Sequence, residues 1–261
     1  MHGKPDSHRT ALITGGGTGI GLAIARAFRA RGLRVALCGR REAPLEEAAR
    51  ALGTPGEDTL AIPADVTDKA AVDRLVSAVV DRWGPIHVLV NNAGVSGITP
   101  IHEDAEARWR AILETNLTGM YLVTQRVLRE MPDHAHGRIV NVSSVLGKFG
   151  VPGYTAYCTA KHGVIGFTRS LALEVVHRGI TVNAVCPGWV DTAMAEQGMR
   201  ETARMLGTTY EAFKAEALSR VPIKRFVEGE EVAALVCYLA SEAAAGMTGQ
   251  AINICGGATT A

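Results

Sequence analysis

Tyr157 and Lys161 stand four residues apart in the run Tyr157-Cys158-Thr159-Ala160-Lys161, with Ser144 thirteen residues upstream. A phenol, an ammonium and a hydroxyl in one neighbourhood are the parts for moving a proton to a carbonyl oxygen. Tyr157 opens a segment with Val164, Phe167, Leu171, Leu173 and Val176 at helical spacing, so its side chain and that of Lys161 share a face one turn apart. A free tyrosine titrates near ~10, and a cation a few ångströms away favours the phenolate, so Lys161 is expected to draw Tyr157 down towards the working range. Such pairs also occur on amphipathic helices that do no chemistry. Ser144 gives this one its meaning, because it follows the apolar run Arg138 to Ser143, which reads as a buried strand. Strand ends in an open α/β sheet are where ligands bind.

A second motif lies near the start, where Ala11-Leu12-Ile13 runs into Thr14-Gly15-Gly16-Gly17-Thr18-Gly19-Ile20-Gly21 and an apolar helix pattern follows to Phe28. Glycines there permit a tight turn, and backbone N–H groups at the helix start can approach a pyrophosphate that the helix dipole also favours. The spacing is T-G-x-x-x-G-x-G and not G-x-G-x-x-G. With a strand before it, a helix after it and a second strand from Arg34 to Cys38, the unit reads as βαβ dinucleotide binding.

The elements that must position these groups alternate along the chain. Strand patterns fall near 11–14, 34–38, 59–62, 87–91, 138–143, 181–186 and 251–255, with helical patterns between them. That alternation predicts one α/β domain of the Rossmann type, a doubly wound parallel sheet of seven strands with helices on both faces. It spans 10–261 after a polar leader, 1–9. Asp65 or Thr67 is the expected N-terminal cap of a helix from Lys69 to Val80, and Asn116 falls in a helical stretch from Leu113 to Val123. The breaks at Gly53 to Gly56 and Val95 to Pro100 are short and read as loops.

Composition narrows the partners. Of 261 residues, 47% are hydrophobic, enough for one large core, and 27 basic against 26 acidic residues leave a net charge of +1, no field for nucleic acid or an anionic membrane. No run of ~20 apolar residues spans a bilayer and Met1 to Arg9 lacks a signal-peptide core, so a cytoplasmic protein is expected. The five cysteines, Cys38, Cys158, Cys186, Cys237 and Cys255, are scattered in apolar runs without zinc spacing and read as reduced core thiols, with no metal site.

On these motifs the chain resembles the short-chain dehydrogenase/reductases. The resemblance runs over nearly the whole chain, through Thr14 to Gly21, Asp65-Val66, Asn91-Asn92-Ala93-Gly94, Asn116, Ser144, Tyr157 with Lys161, and Pro187 to Thr192. Around Arg138 to Lys148, Val182 to Gly188 and Val221 to Phe226 it is most similar to ketoreductases of β-ketoacyl thioesters and aromatic polyketides, although Val95-Ser96-Gly97 departs from the Pro/Gly-rich stretch of the polyketide enzymes.

The resemblance implies an oxidoreductase that takes a small-molecule ketone or alcohol, free or carried on an acyl carrier protein or coenzyme A. Asn116, Ser144, Tyr157 and Lys161 would be catalytic, with Asn116 holding a water that resupplies protons through Lys161. Gly15, Thr18, Gly19, Ile20 and Gly21 would hold the cofactor pyrophosphate, Asp65 and Val66 the adenine, and Asn92, Ala93 and Gly94 the turn over the cofactor. Pro187, Gly188, Val190 and Thr192 would lie near the nicotinamide, with Lys161 on its ribose. Cys38-Gly39-Arg40-Arg41 ends the second strand without the acid that binds a ribose diol, so Arg40 and Arg41 point to NADP(H) over NAD(H) unless they are only solvated charges. Ser144, Phe149, Tyr154, Tyr157, Trp189 and Met194, with Val95 and Ser96, are expected around the substrate. Residues 192–220 would cover it as a lid whose methionines otherwise read as core filling. Family members commonly form homotetramers, which is the expected assembly here. Oxidation of a secondary alcohol by NAD(P)+ is the alternative direction, and a non-catalytic dinucleotide sensor would not need all four catalytic residues.

Overall fold

Short apolar runs buried on both faces make the strands, as a parallel sheet covered by helices requires. The computed structural model of the chain describes residues 9–134 and 136–261. Its strands are β1 (Thr10–Thr14), β2 (Arg34–Gly39), β3 (Thr59–Pro63), β4 (Val88–Asn91), β5 (Arg138–Val142), β6 (Thr181–Pro187) and β7 (Ala251–Ile254). The helices are α1 (Gly19–Arg29), α2 (Glu42–Leu52), α3 (Lys69–Trp83), α4 (Glu106–Leu113), α5 (Gly119–Leu128), α6 (Thr155–Val175), α7 (Ala193–Met205), α8 (Tyr210–Ser219) and α9 (Gly229–Leu239). All seven strands lie in one sheet, order β3-β2-β1-β4-β5-β6-β7, and every neighbouring pair is parallel.

Alternate strand residues face opposite cores. Ala11, Ile13, Val35 and Leu37 pack with Ile24 and Phe28 of α1, Leu45 of α2 and Val236 of α9. Leu12, Ala36, Leu89 and Ile139 pack with Leu75 and Val79 of α3, Val123 of α5 and Leu171 of α6. Each fully buried Val, Leu, Ile or Phe among them stabilises the fold by about 1.5–3 kcal/mol relative to exposure. Chain winding reverses between β3 and β4, so β1 and β4 are neighbours and a crevice opens at their carboxyl ends.

Two local expectations are corrected. The cap of α3 is Asp68, whose carboxylate accepts from the Ala70 N–H at 2.9 Å, and not Asp65 or Thr67. Asp65 instead turns back on its own loop, accepting from the N–H and the hydroxyl of Thr67 at 2.9 and 2.8 Å. The helical stretch through Asn116 is also not one helix: a π-helical turn, Glu114–Thr118, separates α4 from α5. All five cysteines are free and buried, and burial pushes the Cys38 and Cys237 thiols up to about 12 and about 11. No described helix is long and apolar enough to cross a membrane. Of the polar leader, residues 1–8 lie outside the described residues.

Candidate active site

The glycine loop after β1 is shaped by close backbone approach. Gly15 has φ +66°, and a Cβ there would stand 2.8 Å from the Asn92 side-chain nitrogen. At Gly21 a Cβ would lie 2.2 Å from the Gly15 carbonyl oxygen, so no side chain fits. The loop is tied to the turn after β4 by Thr14, whose hydroxyl accepts from the N–H groups of Asn92 and Ala93, both at 3.0 Å, while the Asn92 amide donates to the carbonyls of Thr14 and Gly15. Thr18 opens α1 without a side-chain cap, and the first turn carries no acid. The N–H groups there are left for an anion, which the helix dipole also favours.

Arg40 and Arg41 are exposed at the carboxyl end of β2 and line the same cavity, with no ion pair among the described residues. Across from them, the hydrogen bonds from Thr67 hold the Asp65 carboxylate below its usual range, with the Arg40 charge a smaller contribution. This end of the cavity thus offers glycine backbone, free N–H groups, an ionised carboxylate and two guanidinium groups, which fits a dinucleotide carrying an additional phosphate.

The catalytic candidates meet further along the cavity, which has a volume of ≈1150 Å³. Ser144 caps a 3-10 turn after β5, its hydroxyl accepting from the Leu146 N–H at 3.1 Å. Tyr157 and Lys161 rise from the first turns of α6 on one face, as their spacing predicts, and the Lys161 nitrogen lies 5.6 Å from the Tyr157 ring centre. That nitrogen donates to the Val142 carbonyl at 2.8 Å, and the Lys161 carbonyl accepts from the Ser143 hydroxyl at 3.0 Å. A buried polar chain from Asn91 to Asn141 to Thr168, branching to Thr124, fastens β4 and β5 to α5 and α6 and so fixes the register of α6.

Electrostatics differ from the expectation for Tyr157. Burial pushes its phenol up to about 12, with the Ser144 hydroxyl pulling the other way, and burial lowers Lys161 to about 8. Desolvation is the largest cause for both groups, and it disfavours the charged form of each. Tyr157 therefore holds its proton at neutral pH.

Most residues singled out from the sequence do line one cavity: Gly15, Thr18, Gly19, Ile20, Arg40, Arg41, Asp65, Val66, Asn92, Ala93, Gly94, Ser144, Phe149, Tyr154, Tyr157, Lys161, Pro187, Gly188, Trp189, Val190, Thr192 and Met194. Gly21 and Asn116 stand behind it. Both ends of the Asn116 amide are engaged by Val95, accepting from its N–H and donating to its carbonyl at 2.8 Å, so the side chain braces a pocket turn. Thr192 caps α7, accepting from the Ala195 N–H. The outer wall comes from α7 and α8 through Met194, Met205, Leu206 and Phe213, whereas Tyr210 faces away, between Arg200 and Lys214. Thr14, Ser143 and Thr202 went unremarked as separate contributors. Thr14 at least carried a signal, a hydroxyl where a strand meets a glycine loop.

The fold and site define a dinucleotide-binding α/β oxidoreductase with a tyrosine–lysine centre. The family model for short chain dehydrogenases matches residues 9–203. A Streptomyces coelicolor protein described as a candidate ketoacyl reductase is 44% identical over 249 residues, 95% of each chain. The 3-oxoacyl-acyl-carrier-protein reductase of Haemophilus influenzae is 38% identical over 95% of this chain and 97% of that protein. Among solved structures, an actinorhodin polyketide ketoreductase variant with NADPH superposes with a TM-score of 0.91 at 43% identity, covering 100% of both chains. An NAD+-bound xylitol dehydrogenase gives 0.92 at 31% identity, covering 97% of this chain and 100% of that one. The chain belongs to the short-chain dehydrogenase family. It is an NAD(P)-dependent oxidoreductase acting between ketone and alcohol.

Proposed function

We propose that the chain is an NADPH-dependent ketoreductase with Tyr157 as general acid, acting on a small-molecule ketone that is free or held as a thioester on an acyl carrier protein or coenzyme A. The carrying observation is one cavity in which Ser144, Tyr157 and Lys161 share a wall and Arg40 and Arg41 close the far end. The likeness to ketoacyl reductases and to an NADPH-holding ketoreductase supports the same reading.

The residues present fit the cofactor. Gly15, Thr18, Gly19 and Ile20 would hold its pyrophosphate with Gly21 allowing the close packing behind, Arg40 and Arg41 its 2′-phosphate, and Asp65 and Val66 its adenine. Asn92, Ala93, Gly94, Pro187, Gly188, Val190 and Thr192 would border the nicotinamide end. When bound, the reduced dinucleotide supplies hydride to the ketone carbon.

The chain's own residues handle the oxygen. Ser144 and Tyr157 donate hydrogen bonds to it, and as negative charge develops there Tyr157 gives up its proton. A phenol titrating at about 12 keeps that proton until a strongly basic oxygen forms, which suits an acid in the reductive direction. Alcohol oxidation, the second reading, uses the same residues but needs the phenolate; the likeness to xylitol dehydrogenase favours keeping it. Lys161 orients the ribose and carries protons onward. Asn116 contributes by bracing Val95; a water relay through it would use its second amide hydrogen, the remaining lone pair of its amide oxygen or its main-chain carbonyl.

Phe149, Tyr154, Trp189 and Met194 line the substrate half, under a lid made of α7 and α8. Exposed Tyr121 on α5 and Leu173 on α6 suit self-association of a cytoplasmic protein into a homotetramer, which sedimentation velocity would show or refute. The deciding experiment is Tyr157→Phe. NADPH binding should persist while ketone reduction falls by about 10²–10⁴, and retained turnover would remove Tyr157 from the acid role.

A further inference from the structure

The start of α6 and the helix α7 are joined by a contact that proton transfer does not use. Tyr154, the residue before α6, is buried, and its hydroxyl lies 2.8 Å from the Thr202 hydroxyl and 3.3 Å from the Gly198 carbonyl. The Thr202 hydroxyl also reaches the Gly198 carbonyl, at 2.7 Å, so the two hydroxyls and that carbonyl form a closed triangle of hydrogen-bonding groups. At Gly198 a Cβ would meet the tyrosine oxygen only at ordinary contact, 3.7 Å, so the hydroxyl sits directly against this turn of α7. One residue earlier, Gly153 has φ +80°, and a Cβ on it would stand 2.8 Å from the Met205 sulfur. The Gly153-Tyr154 turn is therefore a socket for one face of α7.

The same tyrosine ring meets Tyr157 edge to face, centroids 6.4 Å apart at 75°. Its turn also carries the pocket loop, because Thr99 accepts from the Ala156 N–H through its hydroxyl and donates its own N–H to the Gly153 carbonyl. On its other side α7 is tied to α4 by the Arg108–Glu201 pair at 3.8 Å, with Arg108 largely exposed. Exposed pairs of that kind add little.

We propose that Tyr154 is a positioning residue that latches α7 over the proton donor through Thr202 and so sets the size of ketone that reaches Tyr157. The proposal rests on the ketoreductase reading for its substrate class, but the latch itself does not. With the hydroxyl removed, α7 loses its buried polar tie and the Met194–Met205–Leu206 wall yields to wider rings. Burial holds the Tyr154 phenol above its ordinary value, which keeps it a donor at all working pH values.

The test compares Tyr154→Phe, Thr202→Val, their double variant and Thr202→Ser. Hydrogen exchange over α7 and kcat and KM for cyclohexanone against 1-tetralone are read for each. Loss of one net hydrogen bond should speed α7 exchange about fivefold in Tyr154→Phe and in Thr202→Val. The kcat/KM ratio should shift by a similar factor towards 1-tetralone through KM, with kcat little altered. The double variant should go no further than either single, and Thr202→Ser should restore the slow exchange. Unchanged exchange and unchanged size preference in both single variants, or effects that simply add, would overturn the latch. If Tyr154→Phe does not fold, Thr202→Val decides, since it keeps the ring. A wild-type protein that reduces no ketone speaks against the ketoreductase reading, and exchange alone then judges the latch.

Discussion

At the β1–β4 end of the cleft the backbone itself is the binding surface, whereas at the α7–α8 end the surface is made of long apolar side chains half open to solvent. Gly15, Gly21 and Asn92 are held by approaches that admit no Cβ and by Thr14 hydrogen bonds. Met194, Met205, Leu206 and Phe149 are all exposed in part, and unbranched methionine adapts to what lies against it. A rigid end recognises a part of the ligand that does not vary; a compliant end accepts variation. If this contrast is right, small changes at the first end should cost much and larger changes at the second should cost little.

Gly21→Ala applies the sharpest test at the rigid end. The new methyl would lie 2.2 Å from the Gly15 carbonyl oxygen and 2.6 Å from the Asn92 side-chain nitrogen, and backbone cannot swing aside as a side chain can. Overpacking of this kind costs about 1–3 kcal/mol or more. Thermal unfolding should show a drop of several degrees in Tm, roughly 2–4 °C per kcal/mol at this chain length. NADPH affinity should fall about 100-fold or more, because the displaced loop is the proposed phosphate cradle. A variant with wild-type Tm and affinity would show that the glycine loop is as yielding as the α7–α8 wall.

Arg40→Asp comes next in size. It exchanges a guanidinium for a carboxylate where the proposed 2′-phosphate would sit, so charge-assisted hydrogen bonds are lost and repulsion is added. The ratio of kcat/KM for NADPH to that for NADH should fall about 100-fold, chiefly through the NADPH KM. An unchanged ratio would leave both arginines as solvated charges.

How far the sequence reached follows the same division. The glycine loop was readable because close approach demands one residue type, and the Tyr157–Lys161 pair because helical period fixes which side chains share a face. The seven strands were readable as apolar runs buried on both sides. What escaped has two causes: Asp65, Thr67 and Asp68 are three rival caps within four residues whose choice the loop geometry makes, while Asn116 meeting Val95 and Tyr154 meeting Thr202 depend on partners 21 and 48 residues away. The direction of the Tyr157 shift escaped for a related reason. Spacing shows that a cation is near, but only the packed wall shows how buried the phenol is, and burial is the largest cause of its shift, with the Ser144 hydroxyl opposing.

That balance can be titrated. Lys161 is lowered to about 8 by burial and Tyr157 raised to about 12, so below about pH 8 the lysine is an ammonium and the phenol is protonated. As kcat/KM reports the free enzyme, ketone reduction should be level through neutral pH and decline as pH rises through about 8, by up to about tenfold per unit, when the ammonium is lost. The phenol would add its own loss only near 12. A profile level well above 8 would show that Lys161 works equally well as a neutral amine.

The smallest effect is expected from Met205→Ala at the compliant end. Met205 is 40% exposed, and its buried part rests on Gly153 and on the cavity. Truncating a fully buried methionine costs about 2–5 kcal/mol, because a cavity is left that neighbours cannot fill. Here solvent already reaches the side chain and Leu206 lies alongside, so the loss should stay below about 1 kcal/mol. KM for a ketone should move about two- to threefold with kcat and NADPH affinity unchanged, since nothing that holds Tyr157 or the glycine loop has moved. Steady-state kinetics with a thermal melt decide it. A destabilisation as large as that of Gly21→Ala would mean that the α7–α8 wall is packed like a core, and the division between a rigid and a compliant end would disappear.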